Sequence, residues 1–503
     1  MSYYEIILWI DQIWTDLFAE RRSIRMKKNI SNFFCNLKPR FIGYALLIFL
    51  VVYILFLVVP YIAHKDVPDS YKEQFQPENC YSDSTGTERV AYINDNDDAL
   101  LYRLHMMNQA KKEIILSTFD FQSSNSGKDV MAALIDASKR GVSVKVIVDG
   151  TSGFLDMQGN KYFQALASYP NISVKIYNTL NFFRPYDMQA RLHDKYVIID
   201  NQMYLLGGRN TDDRFLGDYS KGKNIDRELF VFNTEAPDKN ASLTQLRTYF
   251  DNVWALKDSK DYVCKKETDK VKVAQQELED RMNYLKETFP KAYESWDYEE
   301  MTLATNKVTL LSNPIETENK APHLWYSLQQ MMEQSGQVTI YTPYIICGKE
   351  MYDGLHTLKA KEIPVEIITN DVASGANPWG CTDYLNQKKN IWATGAKVYE
   401  FMGAHSCHTK ALLLDNRMSI VGSYNLDMRS TYQDTELMLA VDCPELNAII
   451  RQEAEHDKTC SKIMGPEGEY IYGDNYKPKE LNLPKRIFYA VLRVVIIPFR
   501  RFL

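Results

Sequence analysis

The chain has 503 residues, 45% of them hydrophobic and 25% charged. That is enough for two core-bearing domains, and no low-complexity tract interrupts it. The net charge of −6 hides an uneven layout: residues 1–40 carry seven Lys/Arg against four Asp/Glu, residues 484–503 carry five Lys/Arg and no acid, and the body between is strongly acidic. Such a body is a poor footprint for nucleic acid, whereas the basic ends suit anionic lipid head groups.

Residues 1–40 read as a cytoplasmic amphipathic and basic segment. Tyr3, Ile6, Ile7, Ile10, Ile13, Trp14, Leu17 and Phe18 fall at helical spacing with acids between them. That pattern suits either a helix in the head-group layer or one packed on a partner. Phe41–Ala63 is an uncharged run of 23 residues, long enough to span a bilayer, and too long and too far from Met1 for a cleaved signal peptide. Arg21, Arg22, Arg25, Lys27, Lys28, Lys38 and Arg40 precede it, while Lys65 and Lys72 mix with Asp66, Asp69, Glu73 and Glu78 after it. The positive-inside rule makes this a single-pass anchor with a cytoplasmic N-terminus and an extracytoplasmic body.

A linker over 64–88, with Pro68 and Pro77, leads into a pattern that runs twice. In a first domain, 89–239, the expected elements are a strand at Glu113–Phe121, a helix at Lys128–Arg140 closed by Gly141, a strand at Val142–Asp149, a helix near 160–168 and a strand at Ser173–Tyr177. In a second, 311–465, Gln337–Tyr344, Lys349–Lys361, Pro364–Thr369, a helix near 382–394 and Lys397–Phe401 replay that order. Each domain then has a hairpin-like return (Met203–Leu206; Met418–Val421) and a further strand (Leu229–Phe232; Leu437–Val441). The fold class is therefore α/β: two pseudo-symmetric domains, each a mixed sheet flanked by helices, behind an N-terminal transmembrane helix. Charged, helix-like residues 240–310 read as a linker or insertion. The tail, 466–503, is basic and apolar from Leu483 on, with Arg493 mid-run and a break at Pro498. It reads as membrane-associated, lying on the surface, or else as a helix docked on the domain. Seven cysteines follow the anchor, none at zinc-ligand spacing, so no metal-thiolate site is expected, and no motif in the chain calls for a cofactor.

The chemistry sits in one short pattern written twice. His193-Asp194-Lys195 is followed by Asp200 and by Gly207-Gly208-Arg209-Asn210. His408-Thr409-Lys410 is followed by Asp415 and by Gly422-Ser423-Tyr424-Asn425. A spacing of two sets His and Lys on one face of a strand. Two such faces meeting across a pseudo-twofold axis would make one site with two His and two Lys. That set suits phosphoryl transfer through a phosphohistidine, one His attacking and the other handling protons. One chain is then sufficient for one site. Asp200 and Asp415 lie at an odd offset from Lys, which turns them to the opposite face and toward a structural place. His105 and His356 fall on expected helices as packing or surface residues, and His405 could line the mouth. The loop NTLNFFRPY (178–186) offers apolar side chains to an interface, to acyl chains or to its own packing, and Trp379 has the same options.

With both motifs placed, the chain resembles the phospholipase D superfamily, and within it the bacterial cardiolipin synthases. GGRNTDDRF after the first motif, GSYNLDMRS after the second, NFFRPYDMQARLHDK and the membrane anchor carry the likeness. The resemblance implies metal-free catalysis, with His193 as nucleophile and His408 as acid/base. It implies that Lys195, Lys410, Asn210 and Asn425 hold phosphate oxygens, and it brings Asp200 and Asp415 into the candidate set as motif members. Glu228 and Glu436, in matching DRELF and DTELM contexts, could each hydrogen-bond an imidazole, or be salt-bridged strand residues. Gly208 and Ser423 are expected at the substrate, Gly208 leaving room for a bulky acyl-bearing phosphate. The implied reaction makes cardiolipin from phosphatidylglycerol and a second phospholipid, either phosphatidylglycerol again or phosphatidylethanolamine, at a bacterial cell membrane. A hydrolytic phospholipase D and a membrane-tethered nuclease are the alternatives.

Overall fold

A computed structural model describes residues 39–465 and 468–503, side chains from residue 43 on. The basic segment read over 1–40 lies almost wholly outside the described residues. The chain divides into two compact units, Met1–Val58 and Val59–Leu503. In the first, helix α1 (Pro39–Val58) has no charged residue past Arg40, and Leu46, Phe49 and Leu50 stand exposed along it. Among the described residues, Gly43–Tyr61 is the one stretch long and apolar enough to cross a membrane. A 3-10 turn at Val59–Tyr61, around Pro60, ends it.

The second unit holds both halves. The first half runs β1 (Glu88–Ile93), α2 (Asn96–Gln109), β2 (Glu113–Thr118), α3 (Asn125–Lys139), β3 (Ser143–Asp149), α4 (Lys161–Leu166), β4 (Ile172–Tyr177), β5 (Tyr196–Ile199), β6 (Met203–Gly207) and β7 (Glu228–Asn233). It continues through residues expected to be a linker: α5 (Ser242–Ala255), β8 (Ser259–Tyr262), α6 (Asp269–Thr288) and β9 (Leu303–Ala304). β8 and β9 pair with β4 and β1 as edge strands, and α6 buries Val271, Ala274, Leu278, Met282 and Leu285 in the first half's core. The charged outer face of α6 made it look like a linker; its apolar stripe makes it a wall of the first half.

The second half repeats the plan: β10 (Lys307–Ser312), α7 (His323–Glu333), β11 (Val338–Tyr341), α8 (Lys349–Ala360), β12 (Val365–Asn370), α9 (Pro378–Ala393), β13 (Lys397–Phe401), β14 (Ala411–Leu414), β15 (Met418–Gly422), α10 (Met428–Tyr432), β16 (Leu437–Asp442), α11 (Pro444–Thr459), β17 (Ser461–Met464) and β18 (Tyr470–Tyr472). Helix α12 (Leu483–Val495) follows.

Each half forms a nine-stranded mixed sheet, ordered β9-β1-β7-β6-β5-β2-β3-β4-β8 and β10-β16-β15-β14-β11-β12-β13-β17-β18. In each, three parallel strands (β2-β3-β4; β11-β12-β13) adjoin an antiparallel set, and strands buried on both faces explain the continuous Val/Ile/Leu runs. One core draws from both halves: Ile115, Ile198, Leu206 and Leu229 of the first pack with Ile368, Leu413, Val421 and Leu439 of the second, with α5 and α11 contributing. The seven described cysteines are all unpaired thiols. His105 is buried, stacked on Trp296 at 3.7 Å and hydrogen-bonded to Tyr298 and Ala292, a packing residue.

Candidate active site

Both His-x-Lys segments lie where the halves meet. They are not within strands as expected: each comes just before one, Tyr196 opening β5 and Ala411 opening β14. Instead, each is stitched to the opposite half. Leu192 bridges Thr435, whose hydroxyl accepts the His193 N–H at 3.1 Å. Ser406–Cys407 pairs in parallel with Asn224–Ile225, and the His408 N–H donates to Ile225 O at 2.6 Å.

The crossing extends to the side chains. His193 Nδ1 shares a 2.8 Å hydrogen bond with Glu436 Oε1 of the second half, and His408 Nδ1 shares one of 2.6 Å with Asp226 Oδ2 of the first. Each bond fixes a ring through Nδ1; Lys410 Nζ also lies 2.5 Å from Nδ1 and 3.1 Å from Nε2 of His408. Phe119 stands edge-on to His193 at 5.3 Å and Phe215 to His408 at 4.9 Å, walling both rings. Lys195 Nζ folds back to His193 O at 2.5 Å. Lys410 Nζ does the same to His408 O and lies 3.8 Å from Asp226. Asn210 and Asn425 are buried, each with its Oδ1 unpartnered.

Three expectations are corrected. Glu228 does not touch an imidazole: Arg103 clamps it with bonds of 2.5 and 2.8 Å, and Arg209 lies 3.8 Å away. Asp226, two residues earlier, takes the place beside His408. The matching sequence contexts concealed this, because the choice depends on which side chain reaches across the interface. Gly208 opens no room for substrate: a Cβ there would sit 2.5–2.6 Å from both Asp226 carboxylate oxygens. Its counterpart Ser423 uses its hydroxyl to hold Glu436. Asp200 and Asp415 lie beyond the strand ends rather than on their opposite faces, both at φ 51°. Asp200 accepts the backbone N–H groups of Lys111, Lys112 and Glu113, and Asp415 those of Gly336 and Gln337, so each closes a turn away from the imidazoles. Because Glu228 forms a buried ion pair, Glu228→Gln should cost stability, about 3–5 kcal/mol in thermal or urea unfolding, by leaving Arg103 unpaired. The pH profile of the surviving activity should keep its shape.

The two carboxyls differ in charge as well as length. Burial pushes Glu436 up to about 8, against the pull of Lys195 and Ser423. Burial also works against the Asp226 anion, but Lys410, His408 and Arg209 together outweigh it and hold that carboxyl down at about 2. Burial and the neighbouring ammonium depress both imidazoles, His193 well below its ordinary range and His408 to about 3, so both rings are neutral before substrate arrives. Burial takes Lys195 down to about 7 and also lowers Lys410. Two neutral imidazoles beside two lysines are suited to an anionic phosphate diester.

Around this site, the loop 178–190 is pinned by Asn178 to Asp187 O and Ala190 O, and it presents Phe182 and Phe183 outward. Phe182 meets Phe154 edge-on at 5.8 Å. Trp379 stands partly exposed at the start of α9, and His405 lies three residues before His408 in the adjoining loop.

Two α/β halves, each placing one His-x-Lys segment at their common interface, define a duplicated enzyme of the phospholipase D type. A family model described as "Cardiolipin synthase, PLD-like domain" matches residues 104–254 and 328–458, more than half of the chain, and the chain belongs to that family within the phospholipase D superfamily. Cardiolipin synthase C of Escherichia coli (strain K12) is 23% identical over 428 residues, covering 77% of this chain and 89% of that protein. An uncharacterized protein of Helicobacter pylori (strain ATCC 700392 / 26695) is 25% identical over 402 residues, covering 71% of this chain and 77% of its own length. Among solved structures, phosphatidylserine synthase of Haemophilus influenzae Rd KW20 shares the fold with a TM-score of 0.55 at 15% identity, over 86% of this chain and 100% of that one.

Proposed function

We propose that this enzyme transfers a phosphatidyl group from one phospholipid to phosphatidylglycerol, making cardiolipin, through a phosphatidyl-histidine on His193. The observation that carries the reading is the pair of imidazoles, each fixed at Nδ1 by a carboxyl from the other half beside a buried lysine. His193, neutral, attacks phosphorus through Nε2, and the bond to the donor's head-group oxygen breaks. His408 protonates that oxygen. The phosphate's negative charge, added to that of Asp226 already beside the ring, raises the proton affinity of His408 from its low value in the empty site, so that the ring takes up a proton from solvent as the diester binds and has it to give. The acceptor hydroxyl then attacks phosphorus, His408 takes its proton, and the P–N bond to His193 breaks. Lys195, Lys410, Asn210 and Asn425 hold the non-bridging oxygens. The donor is phosphatidylglycerol, releasing glycerol, or phosphatidylethanolamine, releasing ethanolamine. The apolar stretch Gly43–Tyr61 supports a single-pass location in a bacterial cell membrane, and the basic residues before it support a cytoplasmic N-terminus with the catalytic body outside.

The test is product analysis with full-length protein in vesicles of phosphatidylglycerol, with and without phosphatidylethanolamine, against His193→Ala. Cardiolipin from wild type alone supports the transferase, and the mixture required identifies the donor. Phosphatidic acid without cardiolipin makes the enzyme a hydrolase. No turnover in either mixture removes both lipid reactions.

Lys195 gives this reading a pH signature. With its amine near 7 in the empty site, the ammonium is lost as pH rises through that value, and attraction for an anionic phosphate is lost with it. For wild type, kcat/KM should therefore fall on the alkaline side of about 7, since kcat/KM reports ionisations of the free enzyme. Lys195→Arg keeps its charge throughout and should move that fall to higher pH, whatever it does to the maximum. A limb unmoved in Lys195→Arg would assign the fall to another group.

A further inference from the structure

The structure docks the C-terminal tail on the second half by one face only. In α12, Leu492 is buried, as is Ile496 just past its end, and two polar bolts hold the segment to α9. Arg493 exchanges hydrogen bonds with Asn386 (2.8 and 2.9 Å), and Arg500 clasps buried Asp383 with bonds of 2.6 and 3.1 Å. The opposite face carries Leu483, Ile487, Phe488, Val491, Val494 and Val495 in one continuous stripe, all exposed, with Ile497 and Phe499 exposed beyond it. An apolar stripe of that length facing water is costly for a folded domain and signals a partner.

Two observations identify the partner. The chain's last residues are tied to the point where the candidate membrane span stops. Arg501 Nε donates to Tyr61 O at 2.9 Å, its guanidinium stacking 4.0 Å over Tyr432, and Tyr61 ends the apolar stretch Gly43–Tyr61. α12 has 13 residues and is about 20 Å long, and it begins on the far side of the turn Ile497–Phe502 from that tie. The segment's charge is also one-sided: residues 484–503 hold five basic residues and no acid, next to a strongly acidic body, and Lys485 and Arg486 stand exposed on the first turn. Apolar residues flanked by cations on a surface helix fit the head-group layer of an anionic membrane.

We infer that the outer face of α12 is a second membrane contact, lying in the plane of a bilayer rich in anionic phospholipid. Its bolts to α9 fix the angle at which the second half meets the lipid surface. The contact is independent of the reaction the site performs.

The test uses the full-length protein in nanodiscs doped with a phospholipid bearing a photoactivatable carbene precursor in its acyl chain, the labelled peptides being mapped by mass spectrometry. In phosphatidylglycerol discs, label should fall on 483–499 as well as on 43–61. Ile487→Glu/Val491→Glu should lose the label on 483–499 and keep that on 43–61, with unchanged thermal unfolding because both side chains are exposed. Label on 43–61 alone in wild type overturns the proposal. So do crosslinks between the α12 helices of two copies in place of lipid adducts, which would make the stripe a self-association face. Equal labelling of 483–499 in phosphatidylcholine discs overturns the requirement for anionic lipid. Lipid turnover is not read, so failure of the transferase reading leaves this result standing.

Discussion

His193→Ala and His408→Ala should each lower phosphatidyl transfer roughly 10⁴-fold or more, and the double variant should fall little further, because groups that act as one unit do not contribute additively. The structure gives the reason for the coupling. Each ring depends on a carboxyl from the other half, and both adjoin the same pair of lysines, whose charges lower both imidazoles. In the proposed mechanism, acid/base work by His408 is useless without a nucleophile, and an adduct on His193 cannot turn over without a base. Quenching during turnover separates the two. A lipid adduct should be recovered on the peptide containing His193 in wild type and, formed slowly, in His408→Ala, and should be missing from His193→Ala. An adduct on the His408 peptide would exchange the two roles. Losses that multiply in the double variant would mean that the rings act in separate events.

Asp226→Asn should lower kcat by about 10³-fold with little change in the fold, since the amide cannot stabilise an imidazolium and can force the wrong tautomer on His408. Loss confined to KM would reject that role. Gly208→Ser offers a second route to the same residue. Its Cβ would overlap the Asp226 carboxylate, so the variant should approach the activity of Asp226→Asn for short- and long-chain lipids alike. A selective change with chain length would instead return Gly208 to the acyl-binding surface. Ser423→Ala, which removes one hydrogen bond to Glu436, should cost about tenfold, the equivalent of about 1.4 kcal/mol.

Much of this was legible in the sequence, for identifiable reasons. Strands such as Ser143–Asp149 and Lys397–Phe401 are short apolar runs bounded by turn residues, and the two copies of the pattern corroborate each other. The motif spacing brought His193, Lys195, His408 and Lys410 to one interface because each half folds the same way. What was not legible depends on contacts between halves. Asp226 lies 182 residues from His408, and nothing in DRELF distinguishes its acid from Glu228, which Arg103 has captured. The aromatic walls Phe119 and Phe215 were hidden for the same reason, although Phe215 ends the GGRNTDDRF run. Helix Asp269–Thr288 was misplaced because its charged exterior outweighed five buried apolar residues.

The reciprocal clasp of the imidazoles bears on ancestry. An assembly of two identical chains, each with one motif, would have to give both rings the same acid, and one substitution would alter both at once. A duplicated gene removes that constraint. In this chain one copy has a serine that holds a buried glutamic acid, while the other has glycine at that position and admits an ionised aspartate. The two rings could therefore specialise separately, one toward attack and the other toward proton exchange, by changes inherited in different halves of one reading frame.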